Sequence, residues 1–538
     1  MRGVQLLILF SFVLILSARA QTVPALTWFG DGSDNNWNTV GNWSSGVPAP
    51  SGNPASLTFD DTSLTNFTPF VEQNYDVDSL HFFSNNSYSF DGASGTTITL
   101  ETKLESDAPG NVTFSSNIGF SLPSSQQWDI YGDTIQISGV ISGPGTAALT
   151  LNSDNTGTGF LRLDSTNTYT GGTTLQGGLT VFLNADEALG TGPLTIDSST
   201  LSALSAVTLD NAVTITNSFS VNNSAPLTLS GPVLLDTSPD ISVSGDGNSP
   251  LIIAGDINES GSQSLTVNGG GYVQLSGNNV YSGGTTILNA TVIASGTSGS
   301  PLGSGPVTLG NSDQPGTLAV DTGTTLTNVL MLTKGTLAGT GTFAPDSTPV
   351  IGSNLTVAPG FTKVLVINDT PVTFGTIGTL TFSTGLELAG GGTVSLKFKD
   401  PNGTAGSGWD LVSISGGTLN LTATSGNPIT LTLSSYDSET GAAGLLGGFN
   451  PSSSYSWQIV SASNATGFDS TAFNIDASAF HDGSLDPSQF SVSLSGNSLF
   501  LNFTPVPEPS TLALLSLGAA AIVGAGLRRR KARGCSKT

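Results

Sequence analysis

The chain is poor in the residues that usually carry chemistry or covalent stiffening. Its 538 residues include one cysteine, two methionines and two histidines, and only 10% are charged. A single cysteine forms no internal disulfide, and Cys535 lies so near the end that almost the whole chain lacks a thiol nucleophile or a thiolate metal ligand. The two histidines, His81 and His481, sit in no metal-ligand or nucleophile spacing and read as surface or loop residues. Neither a G-x-S-x-G elbow nor a P-loop is present. Basic residues are also scarce, 14 against 38 acidic ones. Eight of the 14 lie at the two ends. Between Gln21 and Val506 only Lys103, Arg162, Lys334, Lys363, Lys397 and Lys399 remain, against 37 acidic side chains, for a net charge of about −31. Such a surface repels phosphate backbones, which excludes nucleic acid as a partner.

Long apolar runs occur at the ends alone. Arg2, the run Leu6 to Leu16 and the small-x-small triplet Ala18-Arg19-Ala20 have the three parts of a secretory signal at 1–20, cut by signal peptidase between Ala20 and Gln21. The alternative is an N-terminal membrane anchor. At the other end Val506-Pro507-Glu508-Pro509-Ser510 precedes an apolar segment, 511–527, and then Arg528-Arg529-Arg530-Lys531. Seventeen helical residues rise about 26 Å, near the lower limit for crossing a bilayer core. The basic cluster would keep the C-terminus cytoplasmic. This order closely resembles the PEP-CTERM sorting signal of Gram-negative bacteria. The resemblance implies a sorting segment at 505–538 with a transmembrane helix at 511–527. It also implies that an exosortase reads Pro507, Glu508 and Pro509 and removes the helix during delivery from the inner membrane to the outer surface or extracellular matrix. A plain single-span anchor would share the topology but keep its helix.

What is abundant is glycine, 68 residues, set among short alternating apolar runs such as VTIT, LTLS and LTVN from Val213, Leu227 and Leu265. Strands this short must share one core. Internal similarity shows how: Phe160 to Val181 aligns without a gap with Tyr272 to Ile293, pairing Asn167 with Asn279, Tyr169 with Tyr281 and Gly171-Gly172 with Gly283-Gly284. After one inserted residue, Ala188 to Ile196 aligns with Pro301 to Leu309. The paired glycines supply a corner, the Thr-Thr pairs after them start β-branched strands, and the tyrosine is expected to lie over the turn. Stacked turns of this kind make a β-solenoid with apolar inner columns and outer Ser, Thr and Asn ladders.

At these residues, clearest at 158–197 and 270–310, the chain resembles the autotransporter-associated β-strand (passenger-associated transport) repeat. The resemblance implies an all-β, right-handed parallel β-helix on an exported protein. The β-helix is expected over 21–400, followed by a β-rich C-terminal cap over 401–504 containing Trp409, Tyr455, Trp457, Phe468, Phe473 and Phe490.

No catalytic residue is assigned, no metal ligand and no cofactor. Asp31, Asp34 and Asn36 could offer oxygen to Ca²⁺, but their spacing is not that of an EF-hand and an exposed turn is the better account. Trp28, Trp37 and Trp43 read either as an aromatic platform for glycans or as a plug on the open end of the solenoid. The expected function is that of a non-enzymatic cell-surface or matrix protein, structural or adhesive, whose partners beyond the two processing enzymes are extracellular polysaccharide or other surface proteins. A polysaccharide-acting β-helix hydrolase or lyase is the alternative. A lyase of this shape typically needs an Arg or Lys to take the proton, yet Arg162 is the only arginine between Gln21 and Val506 and its repeat counterpart is Gln274; a hydrolase would need paired carboxylates, and with 37 acids some proximity is expected by chance.

Overall fold

The computed structural model describes residues 23–506 apart from 62–65, 108, 133, 155–158, 246, 297–299, 368–369, 438–439 and 482, and the backbone alone for the rest of 362–375. Among the described residues every regular element longer than three residues is a β-strand. The fold is an all-β parallel β-solenoid. Two parallel sheets of 13 strands each and a third of 11 carry most of the coil, and sheets of seven and four strands continue it toward the C-terminal end.

Burial alternates along the strands because successive side chains point to opposite faces. Along the first sheet the inward residues Leu26, Leu57, Leu80, Leu104, Trp128, Leu151, Leu175, Ile196, Ile215 and Leu235 stack in register, one per strand. All are at most 5% exposed. Each aliphatic member contributes about 1.5–3 kcal/mol by leaving water. Outward residues form ladders as the pattern implied: Asn152 Nδ2 donates to Asp129 Oδ1 at 2.7 Å, and Gln176 Nε2 donates to Asn152 Oδ1 at 3.3 Å.

Turn length is uneven. A short turn brings Leu194 beside Val213, whereas a longer one separates Asp240 from its neighbour Thr266. The unevenness rotates the two repeat copies relative to each other. Thr173–Leu175 is in the first sheet, whereas its counterpart Thr285–Ile287 is in the second. At the corner itself the paired glycines do different jobs. Gly172 and Gly284 take φ of +94° and +95°, while a Cβ on Gly171 would meet the carbonyl oxygen of Ala147 at 2.2 Å.

Parallel stacking does not stop at residue 400. Thr393 pairs with Thr430 and Thr430 with Asn474, so the expected boundary between β-helix and cap falls inside a continuing coil with longer turns. The end is closed by antiparallel strands Tyr455–Ala462, Phe490–Ser495 and Ser498–Phe503 over a cluster of Phe398, Phe449, Trp457 and Phe480. One further antiparallel pair, Phe361–Ile367 with Thr370–Thr376, leaves the coil as a hairpin. The segments 1–20 and 511–527 lie outside the described residues. Among the described residues no helix is long and apolar enough to cross a membrane.

Candidate functional site

The repeat residues are the best-defined polar groups of the interior. Asn167 is 1% exposed; its Oδ1 accepts from the Ile141 backbone N–H at 2.7 Å and its Nδ2 donates to the Ala188 carbonyl at 2.5 Å. Asn279 does the same between Ile257 (2.8 Å) and Pro301 (2.6 Å). Each asparagine therefore bridges three successive turns, which satisfies buried backbone groups at a corner where the strand ladder is interrupted. Tyr169 and Tyr281 are fully buried, and each hydroxyl meets the threonine that opens the next strand, Thr173 at 2.7 Å and Thr285 at 2.6 Å. Burial pushes both phenols upward in pKa.

Trp28, Trp37 and Trp43 come together, but they face inward. Their exposures are 0%, 0% and 4%, and Trp43 packs edge-on against Trp28 at 5.1 Å and Trp37 at 5.9 Å. A glycan platform needs an open ring face, so that reading is replaced by the plug. The plug is held by Asn42, fully buried, whose Oδ1 accepts from Gly32 N–H and whose Nδ2 donates to the carbonyls of Asp34 and Asn36. In the same loop Asp34 Oδ1 accepts from the Thr39 hydroxyl at 2.6 Å and the Asn36 N–H at 3.0 Å, which lowers its pKa. Those bonds shape an Asx turn, and the Asn36 side-chain amide also donates to Asp34 Oδ2 at 3.3 Å. Among the described residues no three His, Cys, Asp or Glu side chains converge on a metal-sized space.

His81 is not a loop residue. It lies on the strand Tyr75–Phe83, half-buried, with Nε2 2.9 Å from Ser79 Oγ and 3.2 Å from Ser56 Oγ, and Nδ1 3.1 Å from Glu105 Oε2. Burial and then the Lys103 ammonium lower its pKa. Sequence motifs gave no sign of this cluster, because register assembles it from three neighbouring strands of the first sheet that lie on successive turns. The order hydroxyl, imidazole, carboxylate is that of a nucleophile with its base. Here, however, Ser79 is 2% exposed and bonded to Ser56 and Asp78, while Lys103 Nζ occupies the same Glu105 oxygen at 2.5 Å. The arrangement is a side-chain ladder with a covered hydroxyl. Arg162 likewise points outward and pairs with Asp164, Nε to Oδ1 2.7 Å. His481 takes a positive φ of 59° and its Nδ1 accepts from the Leu446 N–H.

The described residues end in solvent. After the closing strand Ser498–Phe503, Thr504 N–H still donates to the Gln489 carbonyl at 2.8 Å, and Val506 is 66% exposed. Pro507, Glu508 and Pro509 follow and lie outside the described residues. Comparison with known families places a PEP-CTERM protein-sorting motif at residues 505–531. The match covers the end of the chain and does not extend to the repeats at 158–197 and 270–310. No match was found among curated proteins. The chain is thus a parallel β-solenoid, closed at both ends by aromatic clusters, whose C-terminus carries the sorting motif of exosortase-processed exported proteins.

Proposed function

We propose that the protein is a non-enzymatic structural or adhesive rod, displayed on the outer surface or in the extracellular matrix of a Gram-negative bacterium. Signal peptidase would release it at Gln21. The exosortase would act around Pro507, Glu508 and Pro509 while the 511–527 helix holds the intermediate in the inner membrane. The observation that carries the reading is the sorting motif placed directly after a closed solenoid, on an exposed strand end. Right-handed coiling is inferred from the strong preference of parallel crossovers for that hand, and the repeat pair is read as autotransporter-associated. An adhesive or spacer role suits the shape: 13 strands at about 4.8 Å give a face of about 60 Å with side-chain ladders along it. Immunolabelling of intact cells tests the proposal. Label is expected at the surface of the wild type and strongly reduced when Pro507, Glu508 and Pro509 are changed to Ala, or when the exosortase gene is deleted. Unchanged labelling in both would contradict it.

A further inference from the structure

One outward column on the third sheet turns small and apolar. Gln274, Ile293, Ala319 and Ala338 lie in register on successive strands. Ala319 and Ala338 are only 3% and 5% exposed although they face outward. The cover is the root of the hairpin, which folds back on this face. Gly339 and Gly360 exchange two backbone hydrogen bonds of 2.8 Å, and Thr376 Oγ1 donates to the Phe361 carbonyl at 3.2 Å. The small column and the folded-back root enclose a trough of about 440 Å³, within the roughly 300–1,000 Å³ of small-ligand sites.

Its floor is Ile293 and Ala319, one wall is Phe361 with Thr376, and the opposite rim is Asp321, Thr322 and Thr340. The Phe361 ring meets Tyr272 edge-on at 6.2 Å. Asp321 keeps acceptor capacity beyond its bonds from the Thr322 N–H (2.8 Å) and the Ser295 hydroxyl (3.3 Å). Among the described residues none hydrogen-bonds the Gln274 side-chain amide, which faces the trough. Among the described lining residues none is basic, and the one charge they carry is the Asp321 carboxylate.

We propose that this trough binds a neutral saccharide chain. An aromatic wall and an aliphatic floor suit the apolar C–H faces of a pyranose ring. The Thr322 and Thr340 hydroxyls bond each other at 2.6 Å and Thr376 bonds the Phe361 backbone, so the Gln274 amide and the Asp321 carboxylate are the groups that meet its hydroxyls. The negative rim disfavours uronate, sulfate or phosphate groups, so the class is neutral. This rests on the adhesive part of the function proposed above and names its ligand class.

The test is calorimetric titration of the mature protein, recovered from cells, with cellohexaose, maltohexaose, laminarihexaose and mannohexaose, and with hexagalacturonate as the anionic comparison. At least one neutral chain is expected to bind. Gln274→Ala and Phe361→Ala should each weaken that binding about tenfold, with Thr214→Ala on the first sheet unchanged. Gln274→Ala removes a half-buried outward side chain and leaves the core intact, so it decides the matter if Phe361→Ala disturbs the hairpin. The proposal is overturned if no neutral chain binds, if hexagalacturonate binds as well or better, or if Gln274→Ala leaves affinity unchanged. Surface labelling, read separately, distinguishes this failure from failure of the location: binding without display removes the function, and display without binding removes the trough.

Discussion

Lys397 Nζ lies 2.8 Å from Asp410 Oδ2, with the two side chains 2% and 0% exposed. The same carboxylate accepts from the backbone N–H groups of Gly378 (3.0 Å) and Lys397 (2.9 Å), and Lys397 Nζ also donates to the Pro359 carbonyl. Pro359 and Gly378 flank the hairpin, so one buried ion pair ties its root to the strand beneath. Burial pushes the Asp410 carboxyl up to about 6 despite the lysine.

Breaking one half of such a pair leaves an uncompensated charge in the interior. Lys397→Met is therefore expected to destabilise the protein by about 3–5 kcal/mol, while Lys397→Met with Asp410→Asn, which removes the stranded charge and keeps an oxygen to accept from a backbone N–H, recovers part of the loss. Urea unfolding followed by tryptophan fluorescence checks this; a double variant as unstable as the single one would contradict it.

Asn167→Ala orphans the Ile141 N–H and the Ala188 carbonyl together. With about 1–3 kcal/mol for each buried group left unpaired, it should cost clearly more than Tyr169→Phe, which removes one hydroxyl bond worth about 0.5–1.5 kcal/mol. The same ranking should hold for Asn279→Ala and Tyr281→Phe. Equal losses in a chemical denaturation series would show that the asparagines do not bridge the turns.

The repeat made the solenoid legible, since Asn, Tyr and paired Gly recur with the same internal spacing at Asn167 to Gly172 and at Asn279 to Gly284. Where those residues point was not legible. Tyr169 turns inward because its hydroxyl has Thr173 as a partner in the core, a pairing that residue identities alone do not announce. Unequal turns then place the two copies on different sheets, which residue identity does not encode. The trough depends on the hairpin root folding back over Ala319 and Ala338, and the His81 ladder on register between neighbouring strands of successive turns. The aromatic plug could be read from the closeness of Trp28, Trp37 and Trp43 in the chain, but their burial decided between platform and plug.

Gly171→Ala and Gly172→Ala should both destabilise, for separate reasons. The first places Cβ 2.2 Å from a backbone oxygen that cannot move alone, and the second forces alanine to φ +94° and toward the Pro193 carbonyl at 2.8 Å. Thermal unfolding of the two variants checks the prediction. If either matches the wild type, the corner has more room than this geometry allows.

Burial alone would raise the Asp164 pKa, but hydrogen bonds from Arg162, Gln136 and Ser138 outweigh it, and the net direction is down. A carboxylate with a depressed folded-state pKa stabilises above its unfolded value of about 3.8 and loses that contribution as pH falls through the folded value. The stability advantage of wild type over Asp164→Asn should therefore be full at neutral pH and shrink below about pH 3.8. A difference independent of pH would place its origin in packing.

The central claim is that an exosortase processes the C-terminal signal of an exported solenoid, and the C-terminus of the mature protein tests it most directly. Intact-mass and C-terminal peptide mass spectrometry on protein recovered from the cell surface should show a chain ending near Pro507, Glu508 and Pro509, without residues 511–527. Surface protein that still ends at Thr538, from cells with an active exosortase, would contradict the account.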